Sequence, residues 1–233
     1  MNKRFHAIVP AAGSGARFGA EIPKQYLSIF GEPLIFHTLS VLCGCPRLDS
    51  VNVALSPEDE HWQQVADESG KLRVLRCGGQ SRAETVRNAL LALQQQGAEP
   101  DDWVLVHDAA RPCLGEEVLA RLIDCLADDP VGGILAVPVA DTVKQADAAQ
   151  RVAVTIPREG LWLAQTPQMF RMGLLLEALQ TFPAVTDEAG AIEAAGFAPK
   201  LVPGELANLK VTYPGDLPLA AAILRSRKEG GRS

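Results

Sequence analysis

Five short apolar runs, at residues 6–10, 51–55, 72–75, 103–107 and 133–139, constrain the fold of this chain most strongly. Most are β-branched and nearly continuous in apolar character. That is the pattern of parallel strands covered on both faces, not of strands with one wet face. Helix-period stretches lie between and after them, at residues 34–42, 81–96, 116–126, 172–179, 188–195 and 216–225. The second is the clearest, with Val86, Leu90, Leu91 and Leu93 on one side and Arg82, Glu84, Arg87 and Asn88 elsewhere. This alternation predicts an α/β fold built on a doubly wound, mostly parallel sheet. Ligands of such sheets bind beyond the carboxyl ends of the strands. The 233 residues suffice for one domain spanning residues 1–233. One segment breaks the pattern. Strand-like pieces at residues 142–144 and 152–154 flank a polar stretch and predict a β-hairpin. A lone hairpin is marginal in water. Residues 140–160 are therefore expected to protrude as an arm that packs on a second subunit, giving a homodimer.

Composition narrows the function classes. Apolar residues make up 47% and charged residues 21%, a globular balance. No apolar run reaches the ~18 residues of a membrane span, and the apolar stretch after Arg4 is too short for a signal peptide, so a cytoplasmic protein is expected. The net charge of −6 disfavours a nucleic-acid surface. The five cysteines are odd in number and lack metal-ligand spacing, so they read as reduced thiols. The four histidines are scattered and suggest no metal site.

The first strand runs into Pro10-Ala11-Ala12-Gly13-Ser14-Gly15-Ala16-Arg17, with Lys24 seven residues on. Small residues let backbone N–H groups approach phosphate oxygens, and Arg17 and Lys24 supply positive charge for a triphosphate. A dinucleotide fingerprint is excluded, because Phe18 stands where its third glycine belongs. Neither Gly13 nor Gly15 starts a Walker A loop. The buried strand 103–107 ends in Asp108, with Arg111 close behind. A carboxylate there suits Mg²⁺, and Arg111 would meet an acceptor or the pyrophosphate region. Ser81 is placed to cap the long helix, with Glu84 at capping-box spacing. Thr186 is expected to cap the helix at residue 188, with Asp187 and Glu188 in its first turn.

Together these motifs resemble the 2-C-methyl-D-erythritol 4-phosphate cytidylyltransferase family of the non-mevalonate isoprenoid pathway. The glycine loop is followed by Pro23-Lys24-Gln25-Tyr26. Next come Gly78-Gly79-Gln80-Ser81-Arg82-Ala83-Glu84-Thr85-Val86, with Thr where Ser is usual, and then Val106-His107-Asp108-Ala109-Ala110-Arg111-Pro112. The order holds from about residue 5 to 225. The resemblance implies a Rossmann-like nucleotidyltransferase that transfers CMP from CTP to a phosphorylated polyol, with Mg²⁺ on Asp108. It implies catalytic roles for Arg17, Lys24 and Lys210, the last expected near a strand end. Nucleotide contacts are implied at Pro10, Ala11, Ala12, Gly13, Gly15, Gly79, Gln80, Thr85, Asp108 and Ala109. Backbone groups near Gly79 and the Thr85 hydroxyl would select cytosine. Acceptor contacts are implied at Arg111, Thr166, Thr186 and Asp187, with Thr142 and Arg158 reaching the partner subunit's acceptor phosphate. A ribitol 5-phosphate enzyme is the nearest rival reading. A nicotinamide oxidoreductase and a non-catalytic nucleotide sensor are more distant ones.

Overall fold

The computed structural model describes residues 3–13, 22–63 and 67–230. In chain order the elements are β1 (Phe5–Pro10), a 3₁₀ turn (Lys24–Tyr26), β2 (Ser28–Ile29), β3 (Glu32–Pro33), α1 (Leu34–Gly44), β4 (Ser50–Ala54), β5 (Leu72–Leu75), α2 (Arg82–Gln95), β6 (Trp103–Val106), α3 (Glu116–Leu126) and β7 (Gly132–Pro138). There follow β8 (Val143–Ala146), β9 (Val152–Ile156), β10 (Trp162–Arg171), α4 (Met172–Thr181), α5 (Glu188–Ala194), β11 (Lys200–Pro203) and α6 (Asp216–Gly230).

A seven-stranded sheet in the order β11-β7-β10-β6-β1-β4-β5 carries the fold. The pairs β1·β4, β1·β6, β4·β5 and β7·β11 are parallel. Both faces are covered, as the continuous apolar runs require. Ala7, Val9, Val51, Val53 and Leu105 pack on one side with α1 and α3. Ile8, Val104 and Val106 pack on the other with α2, α4 and α5. The chain leaves β1 toward β4 on one side and returns through β6 on the other. The carboxyl ends of β1 and β6 therefore flank the point where strand order reverses, the usual ligand crevice of such sheets.

Two strands of the seven-stranded sheet were not expected from the sequence. β10 pairs antiparallel with both β6 and β7, deep inside the sheet. Its polar Gln165, Thr166 and Gln168 and its Pro167 break the apolar pattern, and proline argues against a central strand. The strand tolerates Pro167 because its ladder with β7 is interrupted between Ala164 and Gln168. β11 carries too little apolar character to stand out, with only Val202 buried. The predicted hairpin is present as β8·β9. No described helix is long and apolar enough to cross a membrane.

Candidate active site

A cavity of about 620 Å³ opens at the carboxyl ends of β1 and β6. Its wall is built from three loops. The loop after β1 contributes Pro10, Ala11, Ala12 and Gly13, held from behind by the buried Gln25, whose Nε2 donates to the Ala11 and Gly13 carbonyls at 2.9 and 3.1 Å. Residues 79–82 and Thr85 come from the start of α2, and Asp108, Ala109 and Ala110 follow β6. Lys24, Lys210 and Thr212 complete the lining. Gly15 and Arg17 lie outside the described residues. Every other residue expected to bind nucleotide lines this one cavity.

The start of α2 is fixed by its own side chains. Ser81 Oγ accepts from the Glu84 N–H at 3.1 Å. Glu84 Oε2 reaches back to the Gln80 N–H at 2.8 Å, one residue earlier than a standard capping box. Thr85 Oγ1 donates to the Ser81 carbonyl at 2.9 Å and accepts from the Gly79 N–H at 3.0 Å. The N–H groups of Gly79 and Gln80 are thus both used inside the protein. The loop must also lie close to the loop after β1: a Cβ on Gly78 would stand 2.3 Å from the Ala12 Cβ, so only glycine fits.

Asp108 is the centre of charge. Its carboxylate meets Lys210 Nζ at 2.8 Å, Arg82 Nε at 3.1 Å and Arg111 Nε at 3.6 Å. Burial by itself would raise its pKa, but Arg82, then Lys210 and Arg111, hold it well below the usual carboxylate range. Arg82 gives its other two nitrogens to Glu188 at 2.6 and 3.0 Å. Of this cluster Asp108, Arg82 and Lys210 line the cavity, and Lys24 lines it too, its Nζ donating to the Val211 carbonyl at 3.4 Å. The excess of positive charge suits an incoming polyanion.

The backbone of Asp108 is gripped from β10. Thr166 Oγ1 accepts its N–H at 3.0 Å and lies 2.9 Å from His107 Nδ1. His107 Nε2 donates to the Arg111 carbonyl at 3.2 Å, so Nδ1 is the acceptor and the Thr166 hydroxyl donates to it. Burial pushes the His107 imidazole down to about 4, which keeps this neutral tautomer at ordinary pH.

Several expected acceptor residues are placed differently. Thr166 is buried and its hydroxyl is engaged beneath Asp108, so it supports the site from behind instead of facing a polyol. Arg111 is also buried outside the cavity lining, with Nη1 on the Asn208 carbonyl at 2.6 Å. Asp187, not Thr186, caps α5: its Oδ1 accepts from the Gly190 N–H at 3.0 Å while Thr186 is exposed. Aspartate wins because its carboxylate also takes Gln168 Nε2 at 2.9 Å, tying the cap to β10. Lys210 sits in the loop between β11 and α6, not at a strand end. Buried Asn208 pins that loop by donating to the Thr166 carbonyl at 2.8 Å, and the Val211 N–H pins it to the Ala110 carbonyl at 2.8 Å. Thr142 and Arg158 are exposed beside the hairpin and outside the cavity lining.

Arg82, Glu188, Gln25 and Asn208 are among the contributors the sequence did not single out as site residues. Arg82 had a signal, since it stands inside the glycine-containing motif. Glu188 looked like an ordinary first-turn acid.

Residues 5–226 match the family model described as IspD, 2-C-methyl-D-erythritol 4-phosphate cytidylyltransferase. This chain belongs to that family. A 2-C-methyl-D-erythritol 4-phosphate cytidylyltransferase of Dechloromonas aromatica is 63% identical over 227 residues, covering 97% of this chain and 99% of its own. One from Nitrosomonas eutropha is 55% identical, covering 96% and 98%. Among solved structures, a 4-diphosphocytidyl-2C-methyl-D-erythritol synthase superposes with a TM-score of 0.83 at 43% identity, covering 96% of this chain and 99% of that one. The IspD fold and the expected α/β architecture therefore agree, with β10 as the antiparallel exception.

Proposed function

We propose that this IspD-family chain transfers CMP from CTP to 2-C-methyl-D-erythritol 4-phosphate, releasing pyrophosphate and feeding isoprenoid precursor synthesis. The observation that carries this reading is the cluster of cations, Lys24, Arg82 and Lys210, that lines with Asp108 a cavity large enough for a nucleotide. The acceptor's phosphate oxygen attacks the α-phosphorus of CTP. A new P–O bond forms as the bond to the bridging oxygen breaks, and that oxygen keeps the electron pair as pyrophosphate leaves. A phosphomonoester has a second pKa near ~6, so the attacking oxygen is already ionised and needs no general base. Catalysis then consists of positioning and charge neutralisation. Lys24, Lys210 and Arg17 are assigned to the phosphate oxygens.

Mg²⁺ fits this wall as a partner of the nucleotide. Asp108 is a single hard oxygen donor, and among the described residues no group of three or more His, Cys, Asp or Glu forms a closed metal site. A Mg²⁺ ion commonly takes one or two carboxylates with substrate phosphates. When bound with CTP, it would share Asp108 and neutralise phosphate charge. Cytosine's amino donor would be met by carbonyl oxygens of the loop at Gly79, because the N–H groups there are occupied.

The chain acts as one domain and as a homodimer. Val152 and Val154 on the arm, with Trp162 and Leu163 beyond it, are exposed apolar side chains, which favours a second subunit as their cover. Thr142 and Arg158 on that arm serve the partner subunit's acceptor phosphate. The five free cysteines suit a reducing cytoplasm.

Pyrophosphate release tests the reading directly. It should require CTP over ATP, GTP and UTP, a divalent ion, and methylerythritol phosphate. Equal or faster release with ribitol 5-phosphate would reassign the acceptor. Absence of release with every acceptor would refute the transferase reading.

A further inference from the structure

Glu188 is a fully buried carboxylate that does not line the cavity. Burying a carboxylate is costly, and an apolar residue of similar volume would often pack there with less penalty. Its geometry shows what the charge is used for. Both of its oxygens accept from the terminal nitrogens of Arg82, at 2.6 and 3.0 Å, and Arg82 turns its remaining Nε toward Asp108 Oδ1 at 3.1 Å. A guanidinium is a rigid planar fork. Fixing two nitrogens on one carboxylate fixes its plane, and the plane fixes where Nε points.

Glu188 is itself held firmly. It opens α5, directly after the N-cap Asp187. Gln168 of β10 ties down both neighbours: its Nε2 donates to Asp187 Oδ2 at 2.9 Å, and its Oε1 accepts the Ala189 N–H at 2.8 Å. Thr166, two residues earlier in β10, holds the Asp108 backbone. One strand therefore aligns Asp108 twice, through its N–H and through the Glu188–Arg82 clamp on its carboxylate.

We propose that Glu188 is a positioning residue for cytidylyl transfer, clamping Arg82 so that Arg82 orients the Asp108 carboxylate instead of reaching for a phosphate. This rests on the reading that the cavity takes CTP. Arg82 lines that cavity, so an unclamped fork has two terminal nitrogens with which to bind phosphate oxygens. Loss of Glu188 should therefore slow turnover without weakening nucleotide binding. A purely structural role would weaken both together.

Glu188→Gln tests the idea, with pyrophosphate release giving turnover and titration calorimetry giving CTP affinity. Turnover is expected to fall ~10-fold or more, a cost typical of small misplacements near reacting groups, while CTP affinity stays equal or tightens. In an Arg82→Lys background, which keeps the charge and lacks the fork, Glu188→Gln should add less than about twofold, since coupled residues do not combine multiplicatively. Turnover within about twofold of wild type, parallel losses of turnover and affinity, or multiplicative losses in the double variant would each overturn the proposal. Should Glu188→Gln fail to fold, Arg82→Lys alone must show the same split, and wild-type turnover from it would be equally fatal. A wild-type protein inactive with CTP and methylerythritol phosphate would instead defeat the functional reading itself.

Discussion

β6 is bracketed by two buried aspartates, Asp102 before it and Asp108 after it, and the two ends of this one strand serve opposite purposes. Asp102 is satisfied mainly by groups that cannot move away. It accepts the backbone N–H groups of Arg4 and Glu99 at 3.0 and 2.8 Å, with Arg4 Nη2 at 2.8 Å and His6 Nε2 at 3.4 Å. Asp108 is met by the side-chain cations Lys210, Arg82 and Arg111. Backbone donors close a site, whereas a half-exposed side-chain cation such as Lys210 can be shared with an arriving anion. The amino end of the strand is thus a structural lock, and the carboxyl end is a wall of side-chain charge.

The largest expected effect is at the lock. Asp102→Ala orphans two backbone N–H groups and should cost about 3 kcal/mol. That lowers the thermal midpoint by roughly 6–12 °C for a chain of this size. Turnover per folded molecule should stay within about twofold, as measured by pyrophosphate release. Lys210→Ala should do the reverse. Losing a cation with the phosphate-binding role proposed for Lys210 is worth ~10²-fold in turnover, or about 2.7 kcal/mol. The midpoint should move by less than about 3 °C, because partly exposed ion pairs contribute little to stability. If both variants lost stability and turnover together, the division of labour along β6 would be wrong.

Acid should expose the same contrast. Burial lowers the pKa of His6 despite its bond to Asp102. The unfolded chain therefore takes up this proton first, near pH 6.5, and stability falls as pH drops from there toward the lower folded pKa. His107 adds to the same slope, its imidazole being pushed down to about 4. Thermal midpoints measured from pH 7 to 5 should decline, and His6→Gln should flatten part of that decline. Asp108, held well below the usual range, keeps its charge throughout, so its ionisation should contribute no loss of turnover in this interval.

The smallest effect concerns the loop at Gly79. Thr85→Ser keeps both hydroxyl bonds and should change the KM for CTP less than about twofold. Thr85→Val loses both, at about 1 kcal/mol each, and should raise that KM several-fold. Equal behaviour of the two variants would show that the hydroxyl does not shape the pocket.

The alternation of buried strands and amphipathic helices was readable because each element carries its own periodicity. The glycine loop and Asp108 were readable because their residue types follow strand ends, and Lys24 because it stands in the short motif Pro23-Lys24-Gln25-Tyr26. The pairing of Arg82 with Glu188 was not, because 106 positions separate them and Glu188 looks like an ordinary first-turn acid. β10 was hidden for a related reason: its polar residues serve Asp108, Asn208 and α5 across the fold, so its local pattern no longer looks like a strand.

Local pattern was thus enough to establish the α/β class and to mark the loops that line the crevice, since periodicity and short motifs are properties of neighbouring residues. The orientation of Asp108, the assignment of Thr166 and Arg111 to the support behind it, and the cap at Asp187 arose only on folding. Each depends on a hydrogen bond or ion pair between segments that meet through the sheet, and no spacing along the chain encodes such a meeting.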